Sequence, residues 1–187
     1  MLSEVLMSGF GGQGVMYMGD LLAQAGIAEG RSATFFPTYG VAMRGGTANC
    51  VVVISDEEIG SPLLDEPGAA IVMNQQSLER FQSIVKKGGL IVGNSSIVKP
   101  ETCSRNGDLR TVWIPATELS REITGNERSA NIVAFGAFLN TEPVVKLETI
   151  EKIFRGLAGR KKDMIEKNLA ALNAGLEFAA RARTGRS

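Results

Sequence analysis

A glycine-rich turn near the start of the chain restricts its fold more than any other feature. The sequence GFGGQG at residues 9–14 follows an apolar run at residues 5–7 and leads into an apolar stretch that begins at Val15. This order predicts a strand, a tight turn and a helix that begins directly after the turn. Four glycines in six residues leave backbone amides uncovered by side chains at the positive end of that helix. The turn is therefore suited to a phosphate or another anion, or to a closely apposed partner backbone.

A second glycine-rich segment, YGVAMRGG at residues 39–46, contains one cation, Arg44. It follows a predicted strand at Ala33–Phe36, which we expect Pro37 to end. Right-handed crossovers place both loops at the carboxyl edge of one sheet, where open α/β sheets bind their ligands. The predicted cofactor-binding residues are accordingly Gly11, Gly12, Gln13, Gly14, Tyr39, Arg44, Gly45 and Gly46.

Strand and helix patterns alternate along the rest of the chain and predict an α/β, Rossmann-like domain with a mostly parallel sheet and flanking helices. We predict one domain over residues 1–187, with an α/β core to about residue 140 and C-terminal helices at about 141–183. Gly136, inside a predicted helix, indicates close packing against a neighbour. The predicted strands cover residues 4–8, 33–36, 47–54, 69–73, 90–92 and 110–114, and the predicted helices residues 15–29, 75–87, 116–123, 131–139, 144–157 and 160–183.

Composition narrows the possible partners. The 187 residues carry a formal net charge of zero, so no general field attracts nucleic acid or an anionic membrane. No apolar run approaches the ~20 residues that cross a bilayer, and the first residues lack the features of a signal peptide. We expect a cytoplasmic protein without membrane contact.

The chain is also poor in catalytic groups. It contains no histidine, the commonest general base and metal ligand, and only two cysteines, Cys50 and Cys103. They lack the spacing of a zinc or iron–sulfur site, and Cys50 lies in a strand pattern typical of the core. A disulfide between them is disfavoured in a cytosolic chain. We therefore predict no catalytic residue and no metal ligand, although carboxylates and lysines leave independent catalysis open.

Two other readings of the glycine turn remain open. Gly9, Gly11 and Gly14 satisfy G-x-G-x-x-G, but a dinucleotide site also needs an acid at the end of the second strand, which ends without one. A nucleoside-triphosphate loop is excluded because Gly14 is followed by valine and methionine. Alternatively, the glycines only permit close packing, although this explains poorly why Gln13 lies among them.

The motifs together resemble the gamma subunit of 2-oxoacid:ferredoxin oxidoreductases. The resemblance rests on GFGGQGV at residues 9–15, YGxxxRGGTAN at residues 39–49, and Ser55 with IxSP at residues 59–62. It extends over essentially the whole chain, and the two glycine motifs at this separation are more specific than either alone. Many members have glutamate two residues before the arginine, where this chain has Ala42. Further similar positions are Asn74, Gly88-Gly89, residues 131–136 and residues 168–175.

The resemblance implies a fold similar to the gamma domain, domain III, of pyruvate:ferredoxin oxidoreductase. It implies a complex with alpha, beta and in some cases delta subunits, which decarboxylates a 2-oxoacid oxidatively and passes electrons to ferredoxin. Thiamine diphosphate, magnesium and iron–sulfur clusters would lie on the partners, since this chain has no GDG…NN pattern and no clustered cysteines. The glycine turn and Arg44 would face the subunit junction, near coenzyme A or the cofactor pocket. The substrate prediction favours 2-oxoglutarate, with branched-chain 2-oxoacids next; a stand-alone dinucleotide-binding reductase and a non-enzymatic binding or scaffolding module remain the alternatives.

Overall fold

A six-stranded mixed sheet lies at the centre of the protein. The computed structural model describes residues 1–39, 46–61, 66–105, 107–156 and 162–184, and the Tyr39 side chain lies outside the described part. The strands are β1 (Leu2–Phe10), β2 (Ser32–Tyr39), β3 (Thr47–Ser55), β4 (Ala69–Val72), β5 (Leu90–Asn94) and β6 (Arg110–Ile114). The helices are α1 (Val15–Ala28), α2 (Gln75–Phe81), α3 (Ala116–Thr124), α4 (Ala130–Thr141), α5 (Leu147–Gly156) and α6 (Lys162–Thr184).

The strand order is β2-β3-β1-β4-β5-β6, and one strand runs against the others. Strands β1, β4, β5 and β6 pair in parallel, whereas β3 is antiparallel to both β1 and β2. Strand β2 therefore points in the same direction as β1, so that five of the six strands share one direction. The prediction of a mostly parallel α/β sheet with flanking helices is confirmed.

Strand β2 is longer than predicted. It runs through Pro37 to Tyr39, where Pro37 lies opposite Cys50 of β3. Proline has no N–H to donate to an adjacent strand, but in an edge strand the N–H groups on the outer side have no adjacent strand to bond. The prediction that Pro37 ends the strand is wrong for that reason, because β2 forms the edge of the sheet.

The two faces of the sheet are covered unequally. One face carries the main core, to which α1, α4, α5 and α6 contribute; its largest fully buried side chains include Met7, Met18, Phe135, Phe138 and Phe154. The other face carries a smaller core under α2 and the segment that follows β5. Cys50 belongs to the main core, and burial raises the pKa of its thiol to about 12. Both cysteines are free, as predicted.

Helix α2 ends at Phe81, six residues before the predicted end at residue 87. The carbonyls of Gln82, Ser83 and Val85 all accept hydrogen bonds from Nη1 of Arg105, at 3.2, 3.1 and 2.5 Å. Carbonyls that converge on one guanidinium no longer all point along a helix axis. The chain beyond Phe81 therefore forms turns instead of continuing the helix. The contact with Arg105 that accompanies this change cannot be predicted from the local sequence.

Helices α4 and α6 cross in backbone contact at two glycines. A Cβ at Gly136 would lie 2.2 Å from the carbonyl oxygen of Leu172, and one at Gly175 would lie 1.9 Å from that of Val133. The close packing predicted for Gly136 is confirmed, with α6 as the neighbour. Among the described residues, no helix combines the length and the apolarity needed to cross a membrane.

Candidate functional site

The glycine turn joins β1 to α1 in a backbone conformation that depends on glycine. Gly12 has φ +100° and Gly14 has φ +74°, both in the region that side chains disfavour. Gly14 is the N-cap of α1, whose first turn carries no acidic side chain. The positive end of α1 therefore faces the turn without a carboxylate in its own first turn to offset it.

The described residues use only part of the turn's hydrogen-bonding capacity. Gly11 N donates to Gly46 O at 3.0 Å, and Gln13 N donates to Phe10 O at 3.0 Å. Among the described residues, the N–H groups of Gly12 and Gly14 have no such acceptor. Gly11 and Gly12 are exposed, so a ligand can approach the backbone closely. Within the described ranges, two of the four predicted amides thus have no backbone acceptor.

The Gln13 side chain is directed into the protein. Its Oε1 accepts from Phe10 N at 2.7 Å and from Asn74 Nδ2 at 3.3 Å, while its Nε2 donates to Met73 O at 3.0 Å. The amide ties the turn to the carboxyl end of β4. This network gives Gln13 a structural task that explains its place among glycines; its contact with a cofactor stays a prediction.

The second predicted loop begins and ends beside the turn. Tyr39 and Gly9 both pair with Ala48, and Gly46 accepts the bond from Gly11. The two segments therefore meet at one edge of the sheet, as the crossover rule predicted. Residues 40–45, which include Arg44 and Gly45, and the Tyr39 side chain lie outside the described part.

Asparagines that the sequence-based site omitted border the turn. Asn74 lies two residues beyond the end of β4 and is 1% exposed; Asn131 lies in the first turn of α4 and is 5% exposed. Asn131 Nδ2 donates to Gly14 O at 3.2 Å. A signal for Asn74 existed, because a polar residue after an apolar strand marks the carboxyl edge of a sheet. For Asn131, which is 117 residues from Gly14 in sequence, the signal was the family resemblance over residues 131–136 and not a local pattern.

A cavity of about 320 Å³ lies beside the turn, between the start of α1, the start of α4 and α6. Asn131 lines it together with two cations, Arg128 and Lys167, and one acid, Asp163, which pairs with Lys167 at 3.0 Å. A larger cavity, about 870 Å³, lies along β6 and is lined by Arg110 and other residues remote from the motifs. Size alone would select the second cavity, but the first is the one that Asn131 connects to the glycine turn, through its bond to Gly14.

The sheet topology disfavours a dinucleotide site. In that kind of site the second strand lies next to the first and ends in an acid that binds the ribose. Here β3 separates β2 from β1, which puts β2 two strand spacings away, roughly 9–10 Å. Strand β2 ends at Tyr39 without a carboxylate. In the described ranges, no group of three or more His, Cys, Asp or Glu side chains could hold a metal ion.

These features define an α/β protein whose glycine turn presents backbone donors at the carboxyl edge of a mixed sheet. Residues 4–178 match the family described as pyruvate ferredoxin/flavodoxin oxidoreductase. The chain therefore belongs to the pyruvate ferredoxin/flavodoxin oxidoreductase family, which confirms the resemblance carried by the two glycine motifs.

Curated relatives of two kinds match nearly the whole chain. It is 40% identical over 178 residues to the ketoisovalerate oxidoreductase subunit VorA of Methanothermobacter thermautotrophicus, covering 94% of this chain and 36% of that subunit. It is 32% identical over 180 residues to the 2-oxoglutarate synthase subunit KorC of Methanocaldococcus jannaschii, covering 96% and 95%. The chain thus spans about a third of the first relative and nearly all of the second.

Solved structures give the same fold. The gamma subunit of a keto/oxoacid ferredoxin oxidoreductase from Geobacter sulfurreducens matches with a TM-score of 0.79 and 28% identity, over 96% of this chain and 99% of that one. A 2-oxoglutarate:ferredoxin oxidoreductase chain from Magnetococcus marinus matches with a TM-score of 0.86 and 22% identity, over 96% and 31%. The same fold therefore occurs both as a separate gamma subunit and as part of a longer chain.

Proposed function

We propose that this chain acts as the gamma subunit of a 2-oxoacid:ferredoxin oxidoreductase. The complex oxidatively decarboxylates a 2-oxoacid, forms its acyl-CoA and transfers electrons to ferredoxin. The observation that carries the proposal is the exposed glycine turn at the positive end of α1, in a chain that matches separate gamma-type subunits over nearly its whole length. The isolated chain is inactive in this proposal, and it works in the cytoplasm with alpha and beta subunits.

Coenzyme A is the group that this chain's own residues fit best. When bound, coenzyme A supplies the thiol that accepts the acyl group. The Gly12 and Gly14 N–H groups and the α1 terminus suit one of its phosphates, because oriented backbone donors and a helix N-terminus together favour an anion. Glycine at positions 11 and 12 allows the phosphate to approach the backbone, and Arg44 supplies a cation from the neighbouring segment.

The remaining cofactors are assigned to the partner chains. Thiamine diphosphate with magnesium and the iron–sulfur clusters need binding patterns and clustered cysteines that this sequence lacks. No step of the reaction is therefore assigned to a catalytic side chain here. The chain's contribution is to bind and orient coenzyme A at the subunit junction.

The substrate proposed first is 2-oxoglutarate. The supporting observation is the match in length, since the chain covers 95% of the 2-oxoglutarate synthase subunit. A branched-chain 2-oxoacid is the second candidate, because the 40% identity to the ketoisovalerate subunit exceeds the 32% to the 2-oxoglutarate subunit. Purifying the native complex through this chain, then comparing ferredoxin reduction with 2-oxoglutarate, ketoisovalerate and pyruvate, decides between them.

Two variants test the role of the turn within the complex. Arg44→Ala should raise the KM for coenzyme A or weaken assembly, since it removes the one cation of the second segment. Gly11→Ala should raise the KM without a loss of stability: the added Cβ meets only Gly46 O, at 3.8 Å, among the described atoms, yet covers exposed backbone. Unchanged KM and assembly in both variants would contradict the placement of coenzyme A. Turnover of a 2-oxoacid by the isolated chain would contradict the subunit role.

A further inference from the structure

The glycine turn is held from two sides by side chains that lie outside its motif. Asn74 reaches it from the carboxyl end of β4, and Asn131 reaches it from the start of α4. Both asparagines are more than nine-tenths buried. We call these two residues the asparagine clamp.

On the β4 side, the clamp fixes the orientation of Gln13. Asn74 uses its two ends differently: Nδ2 donates to Gln13 Oε1 at 3.3 Å, and Oδ1 accepts from Ser77 N at 2.8 Å as the cap of α2. Gln13 Oε1 also accepts from Phe10 N, the last residue of β1. The capping role and the contact with the turn therefore depend on opposite ends of one side chain, and a substitution can separate them.

On the α4 side, the clamp holds the backbone at the start of α1. Asn131 Nδ2 donates to the carbonyl of Gly14, which also accepts from Met18 N at 3.2 Å. A Cβ at Gly14 would lie 2.3 Å from Asn131 Nδ2, so that the side chain packs directly against the glycine. Position 14 thus requires glycine both for its positive φ and for the space that Asn131 occupies.

Burying the Asn131 side chain costs free energy, and its one hydrogen bond does little to offset that cost. Its Oδ1 is buried and accepts no hydrogen bond from the residues that the structure describes. A buried acceptor left unpaired loses its hydration without compensation, which opposes the benefit of the single bond to Gly14. Because Asn131 brings little net stability, its presence is better explained by its role in holding the glycine turn in position than by a contribution to packing.

We propose that Asn74 and Asn131 are positioning residues that preorganise the glycine turn for the anion it binds. The clamp holds the Gly14 carbonyl and the Gln13 side chain, and Gln13 is in turn bound to both the N–H and the carbonyl of Phe10. The peptide planes from Phe10 to Gly14 are therefore held between fixed points, so that the N–H groups of Gly12 and Gly14 keep one direction. Donors fixed before binding spare the ligand the entropy cost of ordering them. This inference deepens the proposed function, on which its link to coenzyme A rests.

The first test measures the turn in the full chain alone, by amide hydrogen exchange. Asn131→Ala removes the bond to Gly14, and Asn74→Ser keeps a capping oxygen for α2 but removes the donor to Gln13. We expect exchange of the Phe10, Gly11 and Gln13 amides to become roughly threefold to tenfold faster, the effect of losing one ordinary hydrogen bond. The melting temperature should fall by no more than about 4 °C.

The matched control is Ser77→Ala, which removes the hydroxyl bond to Ser8 but leaves the clamp intact. Its turn amides should exchange at the wild-type rate. Unchanged exchange in both clamp variants, or equal acceleration in the control, would overturn the proposal. If Asn131→Ala fails to fold, Asn131→Ser removes the same donor with a smaller loss of volume, and Asn74→Ser tests the other side independently.

The second test uses the assembled complex and separates KM from kcat. Clamp variants should raise the KM for coenzyme A about threefold to tenfold and leave kcat nearly unchanged, because they weaken binding rather than the chemical step. A loss of kcat with constant KM would overturn the positioning role. A wild-type complex that does not use coenzyme A would overturn the proposed function instead, while the exchange measurements would still test the clamp.

Discussion

Glycine serves opposite purposes at the two places where this protein depends on it most. At the α4–α6 crossing, Gly136 and Gly175 lie inside helices, where the space a side chain would need is filled by the partner helix. In the turn, a Cβ on Gly11 or Gly12 would meet little or no described neighbour, and both residues are exposed. Packing accounts for the first pair of glycines, and the positive φ of Gly12 accounts for that residue. Among the described atoms neither reason applies to Gly11, whose openness the proposed function assigns to the approach of a ligand.

Among the glycine substitutions, Gly175→Ala is expected to cause the largest loss of stability. Alanine is the better helix former, but its Cβ would overlap the Val133 carbonyl, 1.9 Å away, and neither backbone can move alone. We expect a loss of about 3 kcal/mol in the free energy of unfolding, measured by urea denaturation. Gly156→Ala is the control, since no described atom lies within 4 Å of the added Cβ, and it should change stability by less than about 0.5 kcal/mol. Equal effects of the two substitutions would show that the crossing is not close-packed.

Gly14→Ala should have the next largest effect. The substitution forces alanine to φ +74° and presses its Cβ against the Asn131 side chain. A loss of about 2 kcal/mol is expected, since the left-handed backbone alone costs roughly 1–2 kcal/mol. Combining it with Asn131→Ala relieves the contact but not the backbone strain, so the double variant should recover part of the loss; a fully additive double variant would argue against the contact.

Gly12→Ala should cost less, because only its backbone is strained. The residue has φ +100° and no described atom within 4 Å of an added Cβ. We expect a loss of about 1 kcal/mol in unfolding free energy, together with weaker coenzyme A use in the complex. A stability loss as large as that of Gly175→Ala would remove the distinction between an open turn and a packed crossing.

An effect of similar size is expected in the pH dependence of the packed region. Burial raises the pKa of the Cys50 thiol from 9.0 to about 12, so the folded state favours the neutral thiol. The resulting stabilisation is complete below pH 9 and is lost as pH rises from 9 towards 12, because the unfolded chain ionises first. From pH 8 to pH 10, wild type should lose about 1 kcal/mol more unfolding free energy than Cys50→Ala. If the unfolding free energies of the two proteins depended on pH in the same way, burial would not raise the pKa of the Cys50 thiol.

Local sequence was sufficient for the elements and for the meeting of the two glycine segments at one edge of the sheet. Periodicity and glycine position predicted all six strands and six helices to within a few residues in most cases, because short-range sterics and side-chain alternation set them. The same signals placed both glycine segments at one edge of the sheet, and the Gly11–Gly46 hydrogen bond confirms that they meet there. The unusual turn required glycines that are visible in the sequence alone.

The tertiary structure decided what depended on distant partners. Strand β2 continues through Pro37 because this strand forms the edge of the sheet. Helix α2 ends early because the carbonyls after Phe81 accept hydrogen bonds from the Arg105 guanidinium. The Gln13 side chain turns inward because Met73 and Asn74 lie within reach of its amide. The sequence by itself determined the elements, the glycine turn and the family, since those follow from local chemistry and motif. Only folding determined which polar groups the chain satisfies internally, because hydrogen bonds between residues 60 or 117 positions apart exist only once the chain has packed.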